Sequence, residues 1–140
     1  MRVNKNGGVT LIELMVVVAI VALLAALAYD NYSRYAFRSR RVDGQNLLTN
    51  IAAAEQRYYT NYNSYTSTIA GTTSALGMKT DSERGYYSAS ANVTSAGQIY
   101  TLTATPVGTG PQNKDKCKSL TLTDKNKKYQ TGDTSNGACW

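Results

Sequence analysis

Three sets of side chains in this 140-residue chain have the types and spacing to do chemistry: Glu13, the pair Cys117 and Cys139, and Lys114, Lys116, Lys118, Lys125, Lys127 and Lys128. Glu13 is the single charged residue in an otherwise apolar run from Val9 to Tyr29. In a bilayer such a carboxylate costs about 2.5–3.5 kcal/mol, so it calls for a partner. The nearest candidate is an α-amino group, created if the chain is cut between Gly8 and Val9. The plainer reading is a carboxylate tolerated near the membrane edge. The two cysteines could join and close a loop of roughly 22 residues, worth about 3 kcal/mol in loop entropy. Two free or metal-binding thiols are the alternative, with no other metal-type cluster beside them. The lysines could hold a phosphate backbone by counterion release. Lysines on a sheet edge also commonly serve only to block aggregation, and Tyr129 alone among them could stack on a base.

Other chemistry is argued against by what the chain lacks. It has no histidine, which removes Ser-His-Asp and Cys-His arrangements and the usual imidazole ligands of zinc. Glu55, Asp81, Glu83, Asp115, Asp124 and Asp133 are scattered, without a carboxylate pair in an apolar frame. No glycine-rich phosphate loop follows a strand-like run. We therefore expect no catalytic residue, no cofactor and no resident metal. The formal charge of +6 is uneven. Arg34, Arg38, Arg40 and Arg41 follow the apolar run, where they are placed to meet lipid headgroups. Only Asp115 and Asp124 lie between the lysines.

These groups must be positioned by a few elements. Val9 to Tyr29 as a helix is about 31 Å long, matching a hydrocarbon core of about 30 Å. Tyr29, Tyr32 and Tyr35 then fall at the height of an aromatic belt. Beyond Gly44, Leu47, Leu48, Ile51, Ala52, Glu55, Tyr58, Tyr59 and Tyr62 recur at three- and four-residue spacing. One helix from about Thr10 to about Tyr59 is predicted, apolar all round over 9–29 and striped over 30–60. Tyr58, Tyr59, Tyr62 and Tyr65 read as packing against a sheet rather than as a binding platform. Residues 60–83 form a polar loop, with a short turn near 69–78. Strands follow at 86–93 and 99–105, flanking Ser95-Ala96-Gly97, then at 120–123 and, more weakly, 127–131. Pro106 to Lys114 interrupts the sheet. The fold class is α+β: a long spine helix laid on a small antiparallel sheet of three or four strands, with a cysteine-closed C-terminal loop. The organisation is residues 1–8, a helix in two halves, and a globular domain over 61–140. A rival for the N-terminus is a secretory signal cut at Ala26-Leu27-Ala28, which Glu13 argues against.

Gly8, Thr10, Leu11, Ile12, Glu13 and Leu14 resemble the processing site of the type IV pilin family, with Val9 in place of the usual Phe. The resemblance implies that residues 1–8 are a leader, removed by a prepilin peptidase that cuts after Gly8 and N-methylates Val9. It implies that Glu13 meets the free amine of a neighbouring subunit's Val9 in the filament. It also implies as partners other pilin subunits and the inner-membrane assembly machinery, and residence in the inner membrane, then in an extracellular pilus. The C-terminal domain would be periplasmic, although the arginines after the run oppose the positive-inside rule. Tyr100 to Pro106, Cys117 and Cys139-Trp140 resemble minor pilins of the PilE and ComP type. Ala22 and Asp30 stand where many pilins carry Gly and Pro, so local unwinding there should be harder. Alternatives are a type II secretion pseudopilin, in which the cysteine pair is uncommon, and a pilus-displayed DNA receptor using the lysine cluster.

Overall fold

The computed structural model describes residues 8–140. Most of the expected leader therefore lies outside the described residues, as do the side chains of Tyr29, Asp30 and Asn31. Helix α1 spans Leu11–Tyr62. It starts at Thr10, whose hydroxyl accepts from the Glu13 N–H at 3.3 Å, the N-cap contact of the Thr-x-x-Glu capping pattern. It ends where Asn63 takes a left-handed φ of 53° and donates its N–H to Tyr59 O at 2.8 Å. The helix therefore runs three residues past the predicted end at Tyr59, to the last residue of its stripe.

The chain divides into two compact units, Met1–Tyr35 and Ala36–Trp140. In the first, the apolar side chains from Val9 to Leu27 stand exposed. Among the described residues α1 is the one helix long and apolar enough to cross a membrane. It is unbroken through Ala22 and Asp30, as the absence of Gly and Pro there requires.

In the second unit α1 contributes Leu47, Leu48, Ile51 and Ala54 to the core. The sheet holds β1 (Tyr87–Thr94), β2 (Ile99–Pro106), β3 (Leu120–Thr123) and β4 (Lys128–Gln130). All pairs are antiparallel, in the order β1-β2-β3-β4. Period-two alternation sends Tyr87, Ala89, Tyr100, Leu102, Ala104, Leu120 and Leu122 inward. Ser90, Thr103, Thr121 and Tyr129 face outward along one row. Gly44 marks a close approach of α1 to the sheet: a Cβ there would lie 2.9 Å from the Tyr87 ring. Of the four tyrosines, Tyr59 and Tyr65 pack as expected, whereas Tyr58 stacks on Tyr62, which is 64% exposed. Tyr65 meets Tyr100 edge-on at 4.7 Å and Tyr59 at 4.6 Å, and the Tyr59 hydroxyl donates to Gln98 on the β1–β2 turn.

Two connections carry more structure than their composition suggests. The loop after α1 buries Ile69 and turns back on itself through Leu76 N–H to Thr68 O and Met78 N–H to Ile69 O. It then bridges Asp81 to Ser88 on the outer edge of β1. The proline-rich break after β2 contains a short 3₁₀ turn, Pro111–Lys114, which buries Gln112. Glu55 is fully buried; one carboxylate oxygen accepts from Thr66 N–H at 3.2 Å, and the other has no partner among the described residues. Burial pushes its carboxyl above the usual range, against the lowering effect of the Thr66 N–H.

Candidate nucleic-acid interface

The lysine-bearing segment is held by a buried polar node that its sequence does not advertise. Arg41, on α1, is 1% exposed and Asp115 is 0% exposed. Arg41 Nε and Nη2 each donate to one Asp115 oxygen at 2.7 Å. Its remaining protons go to Gly137 O at 3.2 Å, Ala138 O at 2.6 Å and the Asn136 side-chain oxygen. All five guanidinium donors are thus placed, in the bidentate geometry that favours arginine over lysine. Asp115 also accepts from Asn136 Nδ2 at 2.8 Å, Gln112 Nε2 at 2.6 Å and Cys117 N–H at 3.3 Å. Gln112 Nε2 reaches on to the Tyr87 hydroxyl at 3.0 Å.

Electrostatics follow from this geometry. Burial raises the Asp115 carboxyl, but the hydrogen bonds from Arg41 and Asn136, the charge of Arg41 and the Cys117 N–H outweigh it. The net result lies below the ordinary aspartate value. Tyr87 is pushed up to about 12, first by burial, against the hydrogen bond from Gln112 and with the Asp115 charge adding to the rise.

One expectation changes here, and the role of one acid becomes clear. Arg41 is not one of a set of exposed cations for lipid headgroups, because its charge is spent on Asp115. Asp115 in turn does not offset the lysines at the surface, because it is buried and neutralised from behind. A lone aspartate among lysines resembles a solvated charge run, and only the fold shows which arginine lies under it.

Cys117 and Cys139 are disulfide-bonded, with Cα atoms 5.7 Å apart. The bond closes the segment that carries β3 and β4. Below β4 the ladder continues through Thr131 N–H to Ser119 O, Gly132 N–H to Cys117 O and Asp133 N–H to Lys116 O, all at 3.0–3.1 Å. Glycine is required at 132, where a Cβ would sit 1.8 Å from Lys116 O.

All six lysines are exposed, but the fold does not gather them into one patch. Lys125, Lys127 and Lys128 cluster at the β3–β4 turn, while Lys114, Lys116 and Lys118 lie at the other end of the same hairpin. The strand Leu120–Thr123 separates Lys118 from Lys125, about 13 Å of extended chain. Beside the second group lies the exposed Asp133, whose N–H bonds Lys116 O and which Ser135 engages through its N–H at 2.8 Å and its hydroxyl. Those two bonds hold the Asp133 carboxyl below its ordinary value. Lys128 Nζ lies 5.2 Å from the centre of the Trp140 ring, and the Trp140 indole N–H donates to Tyr129 O at 2.8 Å.

At the other end of the chain, Gly8 and Val9 are exposed and precede the helix, and Glu13 is exposed in its first turn. Among the described residues no group of His, Cys, Asp and Glu is placed to hold a metal ion.

Comparison with known proteins agrees with this architecture. A family model described as "Type IV minor pilin ComP, DNA uptake sequence receptor" matches residues 30–121. One described as "Prokaryotic N-terminal methylation motif" matches residues 3–29. Among solved structures, a type IV pilin from Shewanella oneidensis is 25% identical, with a TM-score of 0.52 over 74% of this chain and 97% of its own. The non-core minor pilin PilV of Neisseria meningitidis is similar in fold, at 21% identity and a TM-score of 0.50 over 73% of this chain and 94% of its own. No curated protein sequence matches. The family and fold are those of pilin structural proteins, and the chain belongs to the family of the type IV minor pilin ComP, DNA uptake sequence receptor.

Proposed function

We propose that this chain is a pilus subunit that binds duplex DNA through the lysines of its disulfide-closed hairpin. In this reading the apolar half of α1 stores the chain in the inner membrane, with the 36–140 unit in the periplasm. A prepilin peptidase cuts between Gly8 and Val9 and methylates Val9, and the assembly machinery moves α1 from lipid into the helical bundle of the fibre. The observation that carries the DNA part is that six exposed lysines flank a strand while one of the two acids set among them, Asp115, is buried and neutralised by Arg41, leaving Asp124 half-buried at the turn. Family membership favours this over lysines that merely block edge-to-edge aggregation. The cysteine pair and the family match favour a pilus subunit over a type II secretion pseudopilin.

The DNA reading is tested on the full chain in detergent. Replacing Lys125, Lys127 and Lys128 with Gln should weaken binding of all duplexes alike by tenfold or more. It should also reduce the slope of log K against log salt by about 2–3, near 0.9 per lost phosphate contact. Unchanged affinity and slope would remove these lysines from the interface.

The assembly reading is tested at the N-terminus. The mature protein should begin at an N-methylated Val9 by mass spectrometry, whereas a product beginning at Tyr29 would support a secreted domain. Glu13→Ala should remain membrane-inserted, since losing a charge favours insertion. It should be depleted from sheared fibres, because a neighbour's Val9 amine loses its counter-charge. Normal incorporation would leave Glu13 only its place in the first helical turn beside Thr10.

A further inference from the structure

We propose that Asn136-Gly137 is a deamidation site guarded by the fold: the native chain keeps its Asn136 amide, and a chain left open loses it and is barred from refolding. The reaction needs only water besides the chain itself. The backbone nitrogen of Gly137 attacks Cγ of Asn136, a C–N bond forms, and the Cγ–Nδ2 bond breaks with loss of ammonia. Water then opens the cyclic imide to aspartate or isoaspartate. A glycine after the asparagine leaves the attacking nitrogen unhindered, because it has no Cβ.

The fold requires each residue of this labile pair for a separate reason. Asn136 is buried between a cation and a carboxylate. Its side-chain oxygen accepts from Arg41 Nη2, and its Nδ2 donates to Asp115 Oδ1 at 2.8 Å. An amide meets both needs at once, whereas an ionised aspartate offers acceptors only. Gly137 has a φ of 102°, in the left-handed region that favours glycine. A Cβ there would also lie 3.1 Å from Arg38 Cδ, closer than ordinary contact.

The same contacts guard the pair. Both ends of the amide are engaged, which holds Cγ away from the backbone nitrogen, and the Gly137 N–H donates to Thr134 O at 2.9 Å. Arg41 holds Gly137 O at 3.2 Å, and Cys139, two residues on, is joined to Cys117. Conversion therefore waits on opening of the whole C-terminal loop, which reduction of the disulfide makes more frequent. The product does not fit the place it came from. Aspartate at 136 would set a second carboxylate against Asp115 and remove one of its donors. Isoaspartate adds a backbone carbon just before the two carbonyls, Gly137 O and Ala138 O, that Arg41 must reach. A chain that closes its disulfide and folds promptly keeps the amide, and one that stays open is marked.

The test incubates the full chain in detergent at mildly alkaline pH, either folded or opened by urea with reductant. Trypsin cleavage after Lys128 releases residues 129–140, whose one asparagine is Asn136. The other Asn-Gly pair, Asn6-Gly7, is on a different peptide and lies outside the described residues. The 129–140 peptide should gain one mass unit about tenfold or more faster in the open chain, because the folded chain reacts only through rare opening. After refolding under oxidising conditions, converted peptide should be concentrated in the unfolded fraction and depleted from the native one. Asn136→Asp, which builds the product directly, should lower the ratio of native to unfolded chain by about 100-fold or more at neutral pH. Equal conversion of folded and open chains would overturn the guard. Converted peptide shared evenly between native and unfolded fractions, or an Asn136→Asp chain as stable as wild type, would overturn the exclusion.

Discussion

Arg41→Ala is expected to destabilise the 36–140 unit by about 3–5 kcal/mol, the cost of leaving one buried charge without its partner. The loss should exceed that of any surface lysine, because Arg41 also supplies the protons for Gly137 O, Ala138 O and Asn136. The pH dependence gives the sharper signature. In the wild type the folded Asp115 carboxyl lies below its unfolded value. Its contribution is therefore fully present above the unfolded value of about 3.9 and lost as pH falls through the folded one. Without Arg41 the dominant remaining influence is burial, which raises the carboxyl. The variant should then gain stability as pH falls toward about 3.9, above the window in which the wild type loses it. Urea unfolding at several pH values reads both. A variant within about 1 kcal/mol of wild type, with a parallel pH profile, would show that the node is replaceable.

Cys117→Ser, or Cys139→Ser, should cost about 3 kcal/mol from the released loop entropy. The effect should be local as well as global. The freed segment contains β3, β4 and the ladder below them, so proteolysis should appear first between residues 117 and 139 and DNA affinity should fall with no lysine altered. The two sulfurs are joined, so the wild type denatured without reductant should resist alkylation. Free thiols in the exported wild type would contradict the pairing, and equal proteolysis of variant and wild type would show that β3 and β4 hold without it.

The two predictions meet at one place. Arg41 fixes the C-terminal loop to α1, and the disulfide fixes that loop to the start of β3. The lysine segment is suspended between them. The hairpin can carry many like charges on its surface because its support lies in the interior.

Much of this was legible in the residues themselves. Apolar periodicity and turn chemistry are local, so the single long helix, the β1–β2 hairpin about Ser95-Ala96-Gly97 and the order of the four strands could be placed from sequence. The Gly8–Leu14 motif is likewise contiguous and pointed to the family before any fold was known. The capping spacing of Thr10 and Glu13 was also present in the sequence, as a local pattern beside the more conspicuous buried-charge argument.

What the tertiary structure decided is everything that depends on residues far apart in the chain. Arg41 and Asp115 are separated by 74 positions, and neither carries a local mark that distinguishes it from the solvated charges nearby. Burial alone turns one arginine of four into a structural post, and one acid among six lysines into its silent partner. In the same way six lysines close in sequence became two groups, because an antiparallel hairpin sends its turn and its open end in opposite directions. Local patterns set the elements through backbone geometry and side-chain periodicity. The pairing of charges and the spacing of the interface had to wait for packing, since only desolvation and register determine which polar groups meet.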